Sequence, residues 1–122
     1  MENIQSYGEN PEITGLIMEK SVKIGGTINI IVSYKARDEG RGVKYFYWLS
    51  LTGVKERGVE SESTTHQFRV ALPVTRELAS LLLRGETLKL FGFASITVIK
   101  PEDFKVQYVK RLNFEVKLED VL

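Results

Sequence analysis

A chain of 122 residues, 43% hydrophobic and 27% charged, can build one core and is too short for two, which excludes wholesale disorder and a multi-domain layout. Seventeen basic against sixteen acidic residues give a formal net charge of +1, which excludes a polybasic mode of binding; attraction to phosphates has to come from local clustering. There is no cysteine, so a disulfide framework and a thiolate metal site are excluded as well.

Residues 1–11 are polar, lack the basic-then-apolar pattern of a secretory signal, and read as a flexible tail ending at Pro11. Residues 12–122 are expected to form a single β-barrel domain, cytoplasmic by default. A composition rich in Lys and Glu, with few Asn or Gln, agrees with a heat-tolerant source. The first strand is expected at "EITGLIMEK", with Ile13 and Ile17 on one face, and "GG" at Gly25 and Gly26 marks a turn. In "TINIIVSYK" the residues Ile28, Ile30, Val32 and Tyr34 alternate with polar neighbours, the pattern of a half-buried strand. "ARDEGRG" reads as a turn. "KYFYWLSL" then places Tyr45, Tyr47, Leu49 and Leu51 on one face and Lys44, Phe46, Trp48 and Ser50 on the other.

"GVKERGVESES" has no strand pattern and reads as a polar loop. "THQFRVAL" alternates again, with Phe68, Val70 and Leu72 inward and Arg69 outward. One short helix is expected over residues 75–84: Pro73 ends the strand, Thr75 caps, Glu77 suits the positive end of the dipole, and Gly85 follows the last turn. Leu78, Leu81 and Leu82 are expected to form its buried stripe. The run "LASLLL" is the longest apolar one, far below the ~18 residues of a membrane span. "ETLKLFGFASITVIK" reads as a long strand broken by Gly92, and "FKVQYVKRLNFEVKLE" as a last strand with Phe104, Val106, Tyr108, Leu112, Phe114, Val116 and Leu118 sharing a face.

The fold class is therefore all-β. The segment "FRVALPVTRELASLLLRGETLKLFGFASI" resembles the OB-fold superfamily, which places a lone helix between its third and fourth strands. The resemblance implies a small Greek-key barrel of five to seven strands with one short helix near residues 75–84. The alternative is an immunoglobulin-like or arrestin-like β-sandwich used in protein assembly, to which "VKIGGTINIIVSYK" followed by "HQFRVALP" is similar.

Catalysis finds no motif here: His66 is the only histidine, the aspartates Asp38, Asp103 and Asp120 lie in separate segments, and Glu56, Glu60 and Glu62 sit among basic residues. The chain is expected to be a non-catalytic binding module with neither metal nor cofactor. In OB-folds the outer face of the second and third strands binds the ligand, so the resemblance implies single-stranded nucleic acid stacked on Phe46 and Trp48, with Arg69 beside them. In "KARDEGRGVK" the cations Lys35, Arg37, Arg41 and Lys44 outnumber two acids; in "KPEDFKVQYVKR" Lys100, Lys105, Lys110 and Arg111 again outnumber two. All but Lys110 join the candidate set for phosphate contact. The aromatics have two other readings, burial in the protein's own core and an interface with another copy or a larger complex. Phe91 and Phe93, outward by alternation, are expected to pack beneath the front strand.

Overall fold

The computed structural model describes residues 4–7, 11–19 and 25–116, the side chains of 4–7 and 17–19 excepted. Eight strands and one helix follow in the order β1 (Ile4–Tyr7), β2 (Glu12–Glu19), β3 (Thr27–Lys35), β4 (Lys44–Leu51), β5 (Val54–Ser61), β6 (Thr65–Pro73), α1 (Arg76–Leu83), β7 (Leu88–Ile99) and β8 (Lys105–Val116). Five strands make one sheet, β1-β8-β7-β4-β5, and three make the other, β2-β3-β6. Every pairing is antiparallel except that of β1 with β8.

The all-β class holds, but the sheets do not close into a barrel. Closure requires every edge strand to find a partner, whereas β1 and β5 end one sheet and β2 and β6 the other. The core lies between two facing sheets. Because successive strand residues point to opposite faces, the alternating runs bury as the sequence dictates: Ile28, Ile30, Val32 and Tyr34 from β3 meet Tyr45, Tyr47, Leu49 and Leu51 from β4. Where β2 crosses β8, Gly15 leaves room for the Phe114 ring; an added Cβ would stand 2.8 Å from Phe114 Cε1.

The helix forms where its signals place it. Thr75 accepts from the Leu78 N–H at 3.2 Å and Gly85 follows the last turn with φ +83°. Its buried stripe differs from the expected one: Ala79 and Leu82 are buried and Leu78 half-buried, while Leu81 is exposed.

Four further expectations are corrected. The supposed loop at 53–63 contains β5, an edge strand largely exposed on both faces, so no apolar alternation marked it. The supposed tail contributes β1, held by main-chain pairing to β8. β7 runs unbroken through Gly92 for 12 residues. The front strand β2 pairs with β3 in the other sheet and does not cover Phe91 and Phe93. Leu118, expected on the inner face of β8, lies outside the described residues.

Candidate binding face on the five-stranded sheet

Once β4 turns Tyr45, Tyr47, Leu49 and Leu51 into the core, Lys44, Phe46, Trp48 and Ser50 must point the other way. The register then fixes what lies beside them. Phe46 stands between Glu60 on β5 and Thr97 on β7, and Trp48 between Gly58 and Ser95. Ser50 faces Phe93, which faces Arg111 on β8, and Phe91 faces Asn113. No aromatic is directly opposite another; each is flanked by small or polar residues, and the diagonal neighbours are about 7 Å apart.

Phe46 and Trp48 are half-buried, whereas Phe91 and Phe93 are 52% and 44% exposed. Phe46 gains its cover from Gly58, since a Cβ there would lie 2.6 Å from Phe46 Cζ: the ring lies over the space a side chain would take. Ser95 is buried although it points to this outer side, so its neighbours roof it.

The cations expected around the aromatics divide into three groups. Lys44 and Lys105 flank Ile99 in one row of the same face, and Arg111 holds its guanidinium 5.7 Å from the centre of the Phe93 ring. Arg37 and Arg41 lie in the β3–β4 connection and Lys100 in the β7–β8 turn. These two turns meet through a 3.6 Å ion pair between Lys100 and Glu39, so this group borders the Lys44–Lys105 end of the face. Lys100 also stands 5.6 Å from the Phe104 ring centre.

Lys35 and Arg69 form the third group and are separated from the site. They lie on the outward face of the three-stranded sheet, opposite Thr65 and Ile31 respectively. Arg69 does point outward as its alternation requires, but from the other layer of the molecule. Sequence reasoning also missed that Glu60 on β5 and Glu62 just past its end border the face beside Lys44; β5 had no apolar pattern to reveal it.

Beneath the face, the inner side of β4 anchors a buried aromatic cluster. Tyr47 packs edge-on against Tyr34 at 5.3 Å and stacks with His66 at 5.2 Å, and His66 meets Phe68 at 4.5 Å. Each tyrosine hydroxyl donates to a main-chain carbonyl: Tyr34 to Trp48 at 2.6 Å, Tyr45 to Arg37 at 2.9 Å, and Tyr47 to Ser63. Tyr45 Oη also accepts from the Glu39 N–H at 3.0 Å, tying down the turn that carries Arg37 and Arg41. Burial pushes the Tyr47 hydroxyl up to about 12, with Tyr45 adding to it, and burial alone raises Tyr34. These hydroxyls are structural ties. A shallow groove of about 680 Å³ opens between the edges of β5 and β6, lined by residues that include His66 and Phe68, and Arg57 spans it to donate to the Arg69 carbonyl at 2.7 Å.

Burial lowers the pKa of His66 from its ordinary 6.5. The unfolded chain therefore takes up its proton first as pH falls, and stability declines below about pH 6.5. Urea midpoints of the wild type should fall between pH 7.5 and pH 5.5, both taken about the ordinary histidine value, and His66→Gln should flatten that step. An equal step in both proteins would assign it to the carboxylates.

Among the described residues no helix is long and apolar enough to cross a membrane, and no cluster of three or more His, Cys, Asp or Glu is placed to hold a metal ion. Comparison of the chain with protein-family models, with curated proteins and with solved structures gives no match.

Proposed function

We propose that this chain is a non-catalytic, cytoplasmic binding module whose working surface is the outer face of the five-stranded sheet, and whose ligand is a single strand of nucleic acid. The observation that carries the reading is the register: Trp48 and Phe93, diagonal neighbours on adjacent strands, share a face with Lys44, Lys105 and Arg111. Bases stack on such rings whatever their identity, at ~1–3 kcal/mol per base, while phosphates follow the cations. The strand runs along the β7–β8 side, where the cations are, and away from Glu60 on β5. Arg37 and Arg41 extend the path beyond the sheet end. Two facing sheets with open edges fit the sandwich layout better than the OB barrel, so the platform reading rests on this face and not on the fold resemblance.

Trp48 is the chain's one tryptophan and reports directly on the site. Short oligonucleotides at low salt should quench its fluorescence. Trp48→Ala, followed by retention on an immobilised oligonucleotide, should weaken binding by ~1–3 kcal/mol. Arg111→Ala should reduce the log–log salt slope by about 0.7 for the lost phosphate contact, and Arg69→Ala, on the opposite layer, should leave it unchanged. Absence of both quenching and retention at low salt would remove nucleic acid as the ligand.

A further inference from the structure

We propose that, without nucleic acid, a second copy of this chain covers the same face, related to the first by a two-fold axis that runs along the strands between β4 and β7. The inference rests on the reading that this face is the binding surface, and it adds how the surface is occupied at rest.

The sheet order β1-β8-β7-β4-β5 puts β7 and β8 on one side of that axis and β4 and β5 on the other, with β1 extending beyond β8 and past the partner's β5 edge. A two-fold rotation about it lays β4 over the partner's β7 and β5 over the partner's β8, row by row. The register then says which residues meet. In two central rows across the axis, a large residue on β4 or β7 is matched by a small one on the strand that replaces it, whereas in the end row Lys44 meets Ile99. Phe93 faces the Ser50 position and Phe46 the Thr97 position. Rings that stand up from one copy thus enter low points of the other, the self-complementarity that an isologous interface requires. A sheet with its aromatics opposite one another would instead set ridge against ridge.

Charge follows the same symmetry. Continuing the β5 register past Ser61 puts Glu62 beside Lys44, in the row that ends at Lys105 on β8. The axis therefore brings the acidic β5 border of each copy over the cations of β8 in the other, which β1 flanks on its far side. Nucleic acid has no use for the acidic border, but a second copy does. Four strands at 4.8 Å spacing and eight residues at 3.3 Å make a face of about 19 by 26 Å, which across two copies reaches roughly the 1,000 Å² of a specific interface. Sheets stacked this way pack at about 30° to one another, about 10 Å apart. The exposed Phe91 and Phe93 are then covered, as an apolar patch of this kind demands.

The test is sedimentation of the full chain over a concentration series up to about 100 µM, a range in which modest interfaces of this size populate. The expected result is a reversible dimer of the 13.9 kDa chain. Phe93→Glu should raise its dissociation constant about 30-fold or more, as loss of a central anchor does. Glu62→Lys and Lys105→Glu should each weaken it by roughly fivefold, and the double reversal should recover most of the loss. A monomer at every concentration overturns the proposal, as does a dimer indifferent to Phe93→Glu or a charge pair without recovery. Adding a short oligonucleotide should dissociate the dimer. A dimer that obeys the substitutions and ignores oligonucleotide upholds this proposal and removes the nucleic-acid reading; a monomer whose Trp48 is still quenched does the reverse.

Discussion

Gly92→Ala is expected to lower the stability of the protein by about 3 kcal/mol or more, a cost in the range reserved for strain that the structure cannot relax. Gly92 lies in the middle of β7, opposite Leu51 on β4 and Leu112 on β8. A methyl group there would press into the Ser50 carbonyl oxygen and stand 2.5 Å from Leu51 Cδ2 and 3.0 Å from Leu51 Cα. Two of those three atoms are main chain, in the strand that carries Trp48. They can give way only by pulling β4 from β7, which would break the ladder that aligns the candidate face. Gly58→Ala is the control. The Cβ there meets Phe46 Cζ at 2.6 Å, but the ring end is free to swing on a half-exposed side chain. It should cost about 1 kcal/mol, in line with ordinary overpacking. Urea unfolding measures both. A Gly92→Ala protein within about 1 kcal/mol of the wild type would mean that β4 and β7 separate freely, and the row-by-row pairing across the two-fold axis would lose its basis.

What is legible in the sequence follows from where the two faces of each strand find themselves. β3 buries one side, so Ile28, Ile30, Val32 and Tyr34 recur every second position and alternation assigns them to the core. β4 has aromatics on both faces, so alternation separates Tyr45, Tyr47, Leu49 and Leu51 from Phe46 and Trp48 without telling which set is covered. α1 is legible because its ends carry their own chemistry, the Thr75 hydroxyl on the Leu78 N–H and Gly85 at positive φ. β5 is not legible. It is an edge strand held by main-chain bonds to β4, exposed on both sides, and its Lys55, Glu56 and Arg57 look like any solvated loop. Gly92 is legible as special but not in its role: a glycine in a strand marks either a bend or a close approach, and only the position of the neighbouring backbone tells the two apart.

The site shows the same division. Alternation alone places Phe46, Trp48, Phe91 and Phe93 on outward sides. It cannot say that all four share one sheet face, because that depends on β4 pairing with β7, and β5, β6 and α1 all lie between them in the chain. The same missing information puts Arg69 with Trp48, since that placement requires β6 to neighbour β4, whereas β6 pairs with β3. Partner assignment between strands is a long-range property, and the identity of a residue's own neighbours in sequence carries almost none of it. Glu60 and Glu62, which decide whether the face suits phosphate or another copy, stay hidden for as long as β5 does.

Tyr47→Ala should cost about 3–5 kcal/mol, the usual range for emptying an aromatic site in a packed core. Tyr47 is fully buried, and its ring is the hub of the cluster formed with Tyr34, Tyr45 and His66. Its removal leaves a cavity behind Trp48, one residue along the same strand. Tyr47→Phe separates packing from hydrogen bonding. The ring contacts remain and only the donation to the Ser63 carbonyl is lost, which should cost about 0.5–1.5 kcal/mol because Ser63 is exposed and water can replace the hydroxyl. The two substitutions also part at high pH. Folding raises the Tyr47 hydroxyl from 10.0 to about 12, so the unfolded chain loses its proton first. Its contribution is complete below about pH 10 and is lost as pH rises toward 12. Tyr47→Phe should therefore shrink the alkaline fall in urea midpoint without abolishing it, because Tyr34 is raised as well. Far-ultraviolet circular dichroism with urea titration at neutral and alkaline pH measures all three proteins. If Tyr47→Ala were no costlier than Tyr47→Phe, the cluster would not be what supports β4.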